Sequence, residues 1–226
     1  DVSVTNADDD SSGFTVTPTS GLTTTEAGGT ATFTIVLTSQ PTAGVSLGIT
    51  SSDTAEGTVS PSSLTFTTAN WNTPQTVTVT GVDDSLDDGN VLFQVVTGAA
   101  TSADPNYNGT NPPDVSATNT DDDASGVTVT PTSGLTTSEA GATATFTIVL
   151  TAQPTADVVV ALTSSDTTEG TVNPSPLTFT SGNWNTPQTV TVTGVDDSLD
   201  DGDISYSVVT AAAASVDSNF NGLKDR

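Results

Sequence analysis

Residues 30–38, T-A-T-F-T-I-V-L-T, decide the fold: Ala31, Phe33, Ile35 and Leu37 alternate with threonine up to Val36. A period of two describes a strand with one face in a core and the other in water. Threonine suits the wet face because it is β-branched yet polar, and it makes up about a fifth of the chain. The same alternation returns at Ile204, Tyr206 and Val208, with Ser205 and Ser207 between them. Glycine and proline punctuate the intervals, as at Pro18, Gly21, Pro41, Pro61 and Gly109, and no segment has helical spacing. The pattern predicts an all-β fold of Ig-like antiparallel β-sandwiches with about seven strands each. Phe33, Phe66 and Phe93, with Phe146, Phe179 and Tyr206, are the expected core residues.

Those two sets of aromatics belong to an internal repeat. Trp71 and Trp184 lie 113 residues apart, as do Glu26 and Glu139, and W-N-T-P-Q-T-V-T-V-T-G-V-D-D-S-L-D-D-G recurs unchanged at 71–89 and 184–202. Such a period is too long for a solenoid unit and matches a whole sandwich domain of roughly 100 residues. The chain reads as two tandem domains.

Composition excludes several functions. The 226 residues carry 27 acids against two bases and include no Cys, Met or His. Thiolate, imidazole, disulfide and structural-zinc chemistry are therefore absent. The bases, Lys224 and Arg226, stand at the extreme C-terminus, so no phosphate clamp or nucleic-acid surface is available. No apolar run approaches the roughly 20 residues that span a membrane. Paired carboxylates could serve glycoside hydrolysis, but the acid partner needs an apolar pocket, and these sit in polar loops. No enzyme is expected.

The choice of acid is informative. Of the 27 acids, 23 are Asp and four are Glu, and Asp falls in short clusters. Short carboxylates in turns suit a hard cation, because several oxygens can converge on one point. They also suit turns with no ion, since Asp caps them readily.

The strings T-E-A-G-G-T-A-T-F-T-I-V-L-T, V-T-V-T-G-V-D-D-S-L-D-D-G and D-V-S-A-T-N-T-D-D-D, in that order, resemble the Calx-β repeat, notably its tandem versions in large bacterial surface proteins. The resemblance covers both repeats. It implies calcium at one end of each sandwich, stiffening the junction with the neighbour. In the first repeat it implies as ligands Glu26, Asp83, Asp84, Asp87, Asp88, Asp121, Asp122 and Asp123, with Asp53 at a further position. In the second it implies Glu139, Asp166, Asp196, Asp197, Asp200 and Asp201. Asp8, Asp9 and Asp10 form a triplet whose own repeat would lie upstream.

Other motifs keep two readings. D-P-N-Y-N-G at 104–109, with its copy at 217–222, is either an Asx-rich turn or a second calcium loop lacking the usual glutamate. Trp71 and Trp184 either cover the sandwich edge or offer a stacking platform for sugar.

The ends suggest assembly. Residues 114–119, D-V-S-A-T-N, read as the final strand of the first repeat, so D-V-S-V-T-N at 1–6 reads as the final strand of a preceding one. The domains are then 1–10, an orphan donor strand with its triplet; 11–123, the first sandwich; and 124–226, a second sandwich lacking its final strand. A start at Asp1 without a leader reads as a portion of something longer. The expected protein is a calcium-stabilised repeat of a secreted bacterial fibre, adhesin or surface layer, joined head to tail with copies of itself. Its alternative is a glycan- or protein-binding module of an adhesin.

Overall fold

A computed structural model describes residues 1–200 and 202–225; Asp201, among the expected ligands, lies outside them. The chain divides into two compact units, one of residues 1–84 and 88–122 and the other of residues 85–87 and 123–226. Among the described residues every regular element is a strand.

In the first unit, one sheet holds β1 (Phe14–Thr17), β3 (Thr30–Leu37), β7 (Gln75–Gly81) and β5 (Gly57–Ser60), in that order. The other runs β2 (Leu22–Thr25), β10 (Val115–Thr120), β8 (Val91–Thr97), β4 (Val45–Ser51) and β6 (Ser63–Phe66), and the short β9 (Thr101–Ser102) adds to β4. The alternation at 30–38 is borne out on β3, where Phe33, Ile35 and Leu37 are buried and the intervening threonines are not. They share one core with Val77 and Val79 of β7, Leu47 and Ile49 of β4, and Phe93 and Val95 of β8. Each such side chain, fully removed from water, stabilises the fold by about 1.5–3 kcal/mol before chain entropy is set against it.

One pairing departs from the antiparallel expectation: β10 lies parallel to β2, with Ala117 opposite Leu22 and Thr120 opposite Thr25. Its other edge is antiparallel to β8, with Ala117 opposite Phe93. The long excursion from β2 to β10 through both sheets allows this, because a parallel pair needs a crossover rather than a hairpin.

The second unit repeats the first sheet as β11 (Val127–Thr130), β12 (Thr143–Leu150), β17 (Gln188–Gly194) and β15 (Gly170–Asn173). Its other face is shorter. There β13 (Val158–Val160) pairs with β16 (Leu177–Phe179), and β14 (Leu162–Ser164) pairs with β18 (Val208–Thr210). The strand expected from Ile204 onward therefore begins only at Val208. In the first unit the matching residues are paired along β10, and residues 204–207 have no such neighbour among those described. Tyr206 is accordingly half-buried against the core rather than within it, whereas Phe146 and Phe179 are buried.

The D-P-N-Y-N-G segment is a turn. The Asp104 carboxylate accepts the N–H groups of Thr42 (2.7 Å) and Asn106 (2.9 Å), which hold it below the usual carboxylate range. Tyr107 fills the core at 1% exposure, and its hydroxyl donates to the Ser39 carbonyl at 2.6 Å. At the copy, burial opposes ionisation of Asp217, but N–H groups of Thr155 and Asn219 outweigh it and the carboxyl is lowered. Trp71 and Trp184 pack against the two cores, as edge covers do.

Candidate metal centre

Glu26 leaves β2 in the turn T-E-A-G-G, where Gly28 has φ +80°, a left-handed conformation that side chains disfavour. The Glu26 N–H donates to the Thr120 carbonyl at 3.1 Å, which ties this turn to the end of β10. The acidic loop 82–90 joins β7 to β8, and at its root stands Gly81. A Cβ there would overlap the Thr25 carbonyl and the Asn119 side chain, so only glycine lets the loop leave so close to Glu26. The three segments converge because β2, β7 and β10 all end on the same side of the sandwich.

Within the first unit, carboxylates gather around each buried glutamate, Glu26 with Asp83 and Asp122, and Glu56 with Asp84 and Asp88. Within each group, ligand oxygens lie within 4.8 Å of one another. That is about the greatest separation of two oxygens that each bond one calcium ion at 2.3–2.6 Å. Only hard oxygen donors are present, and residues 1–122 include no Lys, Arg or His to balance them. The donor set fits calcium.

The electrostatics follow from burial. Glu26 is 2% exposed, and desolvation pushes its carboxyl up to about 7. The Asp122 N–H, 3.3 Å from Oε2, acts in the opposite direction, while Asp121, Asp84 and Asp88 add to the rise. Glu56 is also raised, first by burial and then by Asp88, Asp53 and Asp84, against a hydrogen bond from Asn119. Asn119 is the hub: its amide donates to the Val82 carbonyl at 3.0 Å and its Oδ1 accepts the Thr24 hydroxyl at 2.9 Å.

The other expected residues are placed as follows. Asp121 also brings a carboxylate oxygen within 4.8 Å of one of Glu26, and it accepts the Gly89 N–H at 2.7 Å, bracing the acidic loop. Asp87 and Asp123 fall within the second unit, where Asp87 accepts the Ser125 N–H at 2.8 Å. Asp53 stands outside the two groups and caps its own turn, accepting the Ala55 N–H at 3.0 Å. Asp166 does the same with Thr168, whose hydroxyl and N–H hold it below its usual range. Asp8, Asp9 and Asp10 form an exposed cluster of their own. Among the described residues, Glu139, Asp196, Asp197 and Asp200 are not gathered into a comparable group. Glu139 is exposed where Glu26 is buried.

The ligand-type residue absent from the sequence expectation is Glu56. It carries no cluster signature, standing alone in T-A-E-G before β5. A signal existed nonetheless, since the chain's four glutamates, 26, 56, 139 and 169, form two pairs related by the repeat.

No family model and no curated protein matches the chain. Among solved structures it is similar to CBD12 from CALX1.2, at 13% identity and a TM-score of 0.39 over 91% of this chain and 82% of that one. It is similar to the periplasmic chaperone SfaE at 9% identity and a TM-score of 0.39, over 94% and 97% of the two chains. Domains 5–6 of the S-layer protein SbsC match at 18% identity and a TM-score of 0.28, over 94% and 97%. At these values the functional reading is left to the chain's own geometry. No described helix is long and apolar enough to cross a membrane.

Proposed function

We propose that this chain is a calcium-stabilised structural repeat of an extracellular bacterial fibre, adhesin or surface layer, non-catalytic and arrayed head to tail with copies of itself. The observation that carries the reading is the gathering of Glu26, Asp83 and Asp122, and of Glu56, Asp84 and Asp88, at one end of the first sandwich. Burying two glutamates among aspartates with no basic side chain nearby is costly unless a cation shares the site. A bound calcium ion supplies that charge. Glu26 and Asp122 come from the ends of β2 and β10, and Asp83 comes from the loop after β7. Holding these together stiffens the end of the sandwich where β10 leaves it.

The energetics favour a structural role. If calcium binds only the folded state, a site held at a hundredfold its dissociation constant adds about 2.7 kcal/mol. A domain typically has about 5–15 kcal/mol in all. Titration calorimetry with calcium, before and after EDTA, tests the proposal. Binding with a raised melting temperature is expected, and D83N/D84N should remove most of both. No heat and an unchanged melting curve in EDTA would refute it.

A further inference from the structure

We infer that Asn119 is a positioning residue for the metal centre of the first unit: its buried amide sets the direction of Glu56 and of the root of the acidic loop, and a carboxylate in its place weakens the site. The inference rests on the calcium reading above and names the neutral side chain on which that site depends.

Asn119 stands two residues before the run Asp121 to Asp123, in T-N-T-D-D-D. An aspartate there would have almost the same shape, yet the chain keeps an amide, 1% exposed. The strand register sets Asn119 opposite Thr24 on β2 and opposite Val91 on β8. The Thr24 hydroxyl donates to its Oδ1 at 2.9 Å. Its Nδ2 donates to the Val82 carbonyl at 3.0 Å and to Glu56 Oε2 at 3.5 Å. A carbonyl only accepts, so the nitrogen must face Val82 and the oxygen must face the hydroxyl. The amide has one orientation.

These contacts join segments that are far apart in sequence. Val82 directly precedes Asp83 and Asp84. Its N–H donates to the Glu56 carbonyl at 3.1 Å while its own carbonyl accepts from Asn119, so the loop is held at its root by both polar groups. On the other side, the Thr24 carbonyl accepts the Thr120 hydroxyl at 3.0 Å, and the next carbonyl of β10, that of Thr120, receives the Glu26 N–H. One side chain thus ties the Glu56 segment, the acidic loop and the strand that leads to Glu26. Partners of this kind, which orient metal ligands without touching the metal, typically contribute about 10–100-fold in affinity.

Aspartate at 119 would turn a carboxylate oxygen toward the Val82 carbonyl and the Glu56 carboxylate, two groups that accept and do not donate. Both contacts become repulsive, and Glu56 and the loop root are pushed away. Charge counting gives the opposite expectation, because a further anion near a dication strengthens the attraction. The sign of the effect of N119D separates positioning from charge.

Calcium titration calorimetry of the full chain tests this with N119D, T24V and T24S. N119D should bind calcium about 10–100-fold more weakly than the parent. T24V keeps every carboxylate and removes only the donor that pins Oδ1, so it should weaken binding in the same direction. T24S keeps the hydroxyl and should bind as the parent does. A second readout needs no metal. In EDTA, amide hydrogen exchange at Val82 to Asp84 should quicken roughly tenfold in N119D and T24V and stay at the parent rate in T24S. Unchanged exchange at Phe33 and Val77 shows that the sandwich is intact; if N119D loosens it, T24V carries the test. Calcium binding by intact N119D as tight as the parent's, or exchange at Val82 in T24V equal to the parent's, overturns the inference and leaves the calcium reading standing. A parent that binds no calcium overturns the calcium reading and with it the role toward a metal, while the exchange arm still decides whether Asn119 holds the loop root.

Discussion

Replacing Glu26 by Gln should change the sign of its effect on stability between chelator and calcium. The Glu26 carboxyl, normally near 4.5, is pushed up to about 7 by burial. The folded state therefore holds this proton more tightly than the unfolded one. Its contribution to stability is complete below pH 4.5 and is lost as pH rises to about 7. The displacement corresponds to about 3 kcal/mol, at about 1.4 kcal/mol for each pH unit. In EDTA at pH 8, E26Q should then be more stable than the parent by up to that amount, since the neutral amide has no charge to desolvate. In saturating calcium it should be less stable, having lost an anionic ligand. Urea unfolding followed by Trp71 fluorescence, in a W184F background so that only the first unit reports, measures both. Glu56 is raised in the same direction and contributes equally to both proteins, so their difference isolates Glu26. Parallel pH profiles for the two proteins in EDTA between pH 4.5 and 8 would refute the reasoning.

Three further outcomes are expected. Gly81→Ala should destabilise the first unit by about 1–3 kcal/mol, because its Cβ must displace the Thr25 carbonyl or Asn119; urea titration checks it, and Gly44→Ala, whose Cβ meets only an ordinary contact, is the control. Tyr107→Phe should cost about 1–3 kcal/mol by stranding polar groups of Ser39, visible as a lower urea midpoint. Trypsin should leave the body of the chain intact even in urea, since the bases stand only at 224 and 226, whereas chymotrypsin should cut faster in EDTA than in calcium. Equal chymotrypsin rates would contradict metal-supported folding.

How much of this was legible depended on whether the cause was local. The alternation at Phe33, Ile35 and Leu37 is a property of consecutive residues, and β3 follows it residue by residue. Ile204 and Tyr206 carry the same alternation yet form no strand, because a strand needs a partner and alternation does not say whether one is beside it. The parallel pairing of β10 with β2 was likewise hidden, being a matter of topology. Among the acids, runs such as Asp83-Asp84 announce themselves. Glu56 does not, because its burial comes from packing beneath Asn119 and the acidic loop, far away in sequence. Asp53, three residues earlier, was the expected one, and it spends its carboxylate on its own turn.

The parallel pairing also decides how the first unit meets a mechanical load. Once β1 has been drawn off β3, tension along the backbone pulls β2 back toward its start and β10 onward toward its end. Because the two strands point the same way, these pulls slide one strand along the other instead of peeling them apart. The rungs between Leu22 and Ala117, and those up to Thr25 and Thr120, are strained together rather than one after another. An antiparallel hairpin pulled from its open end would yield rung by rung at far lower force. Single-molecule stretching from both termini should accordingly give one abrupt rupture per first unit, and a gradual extension in its place would show that β10 leaves by another route.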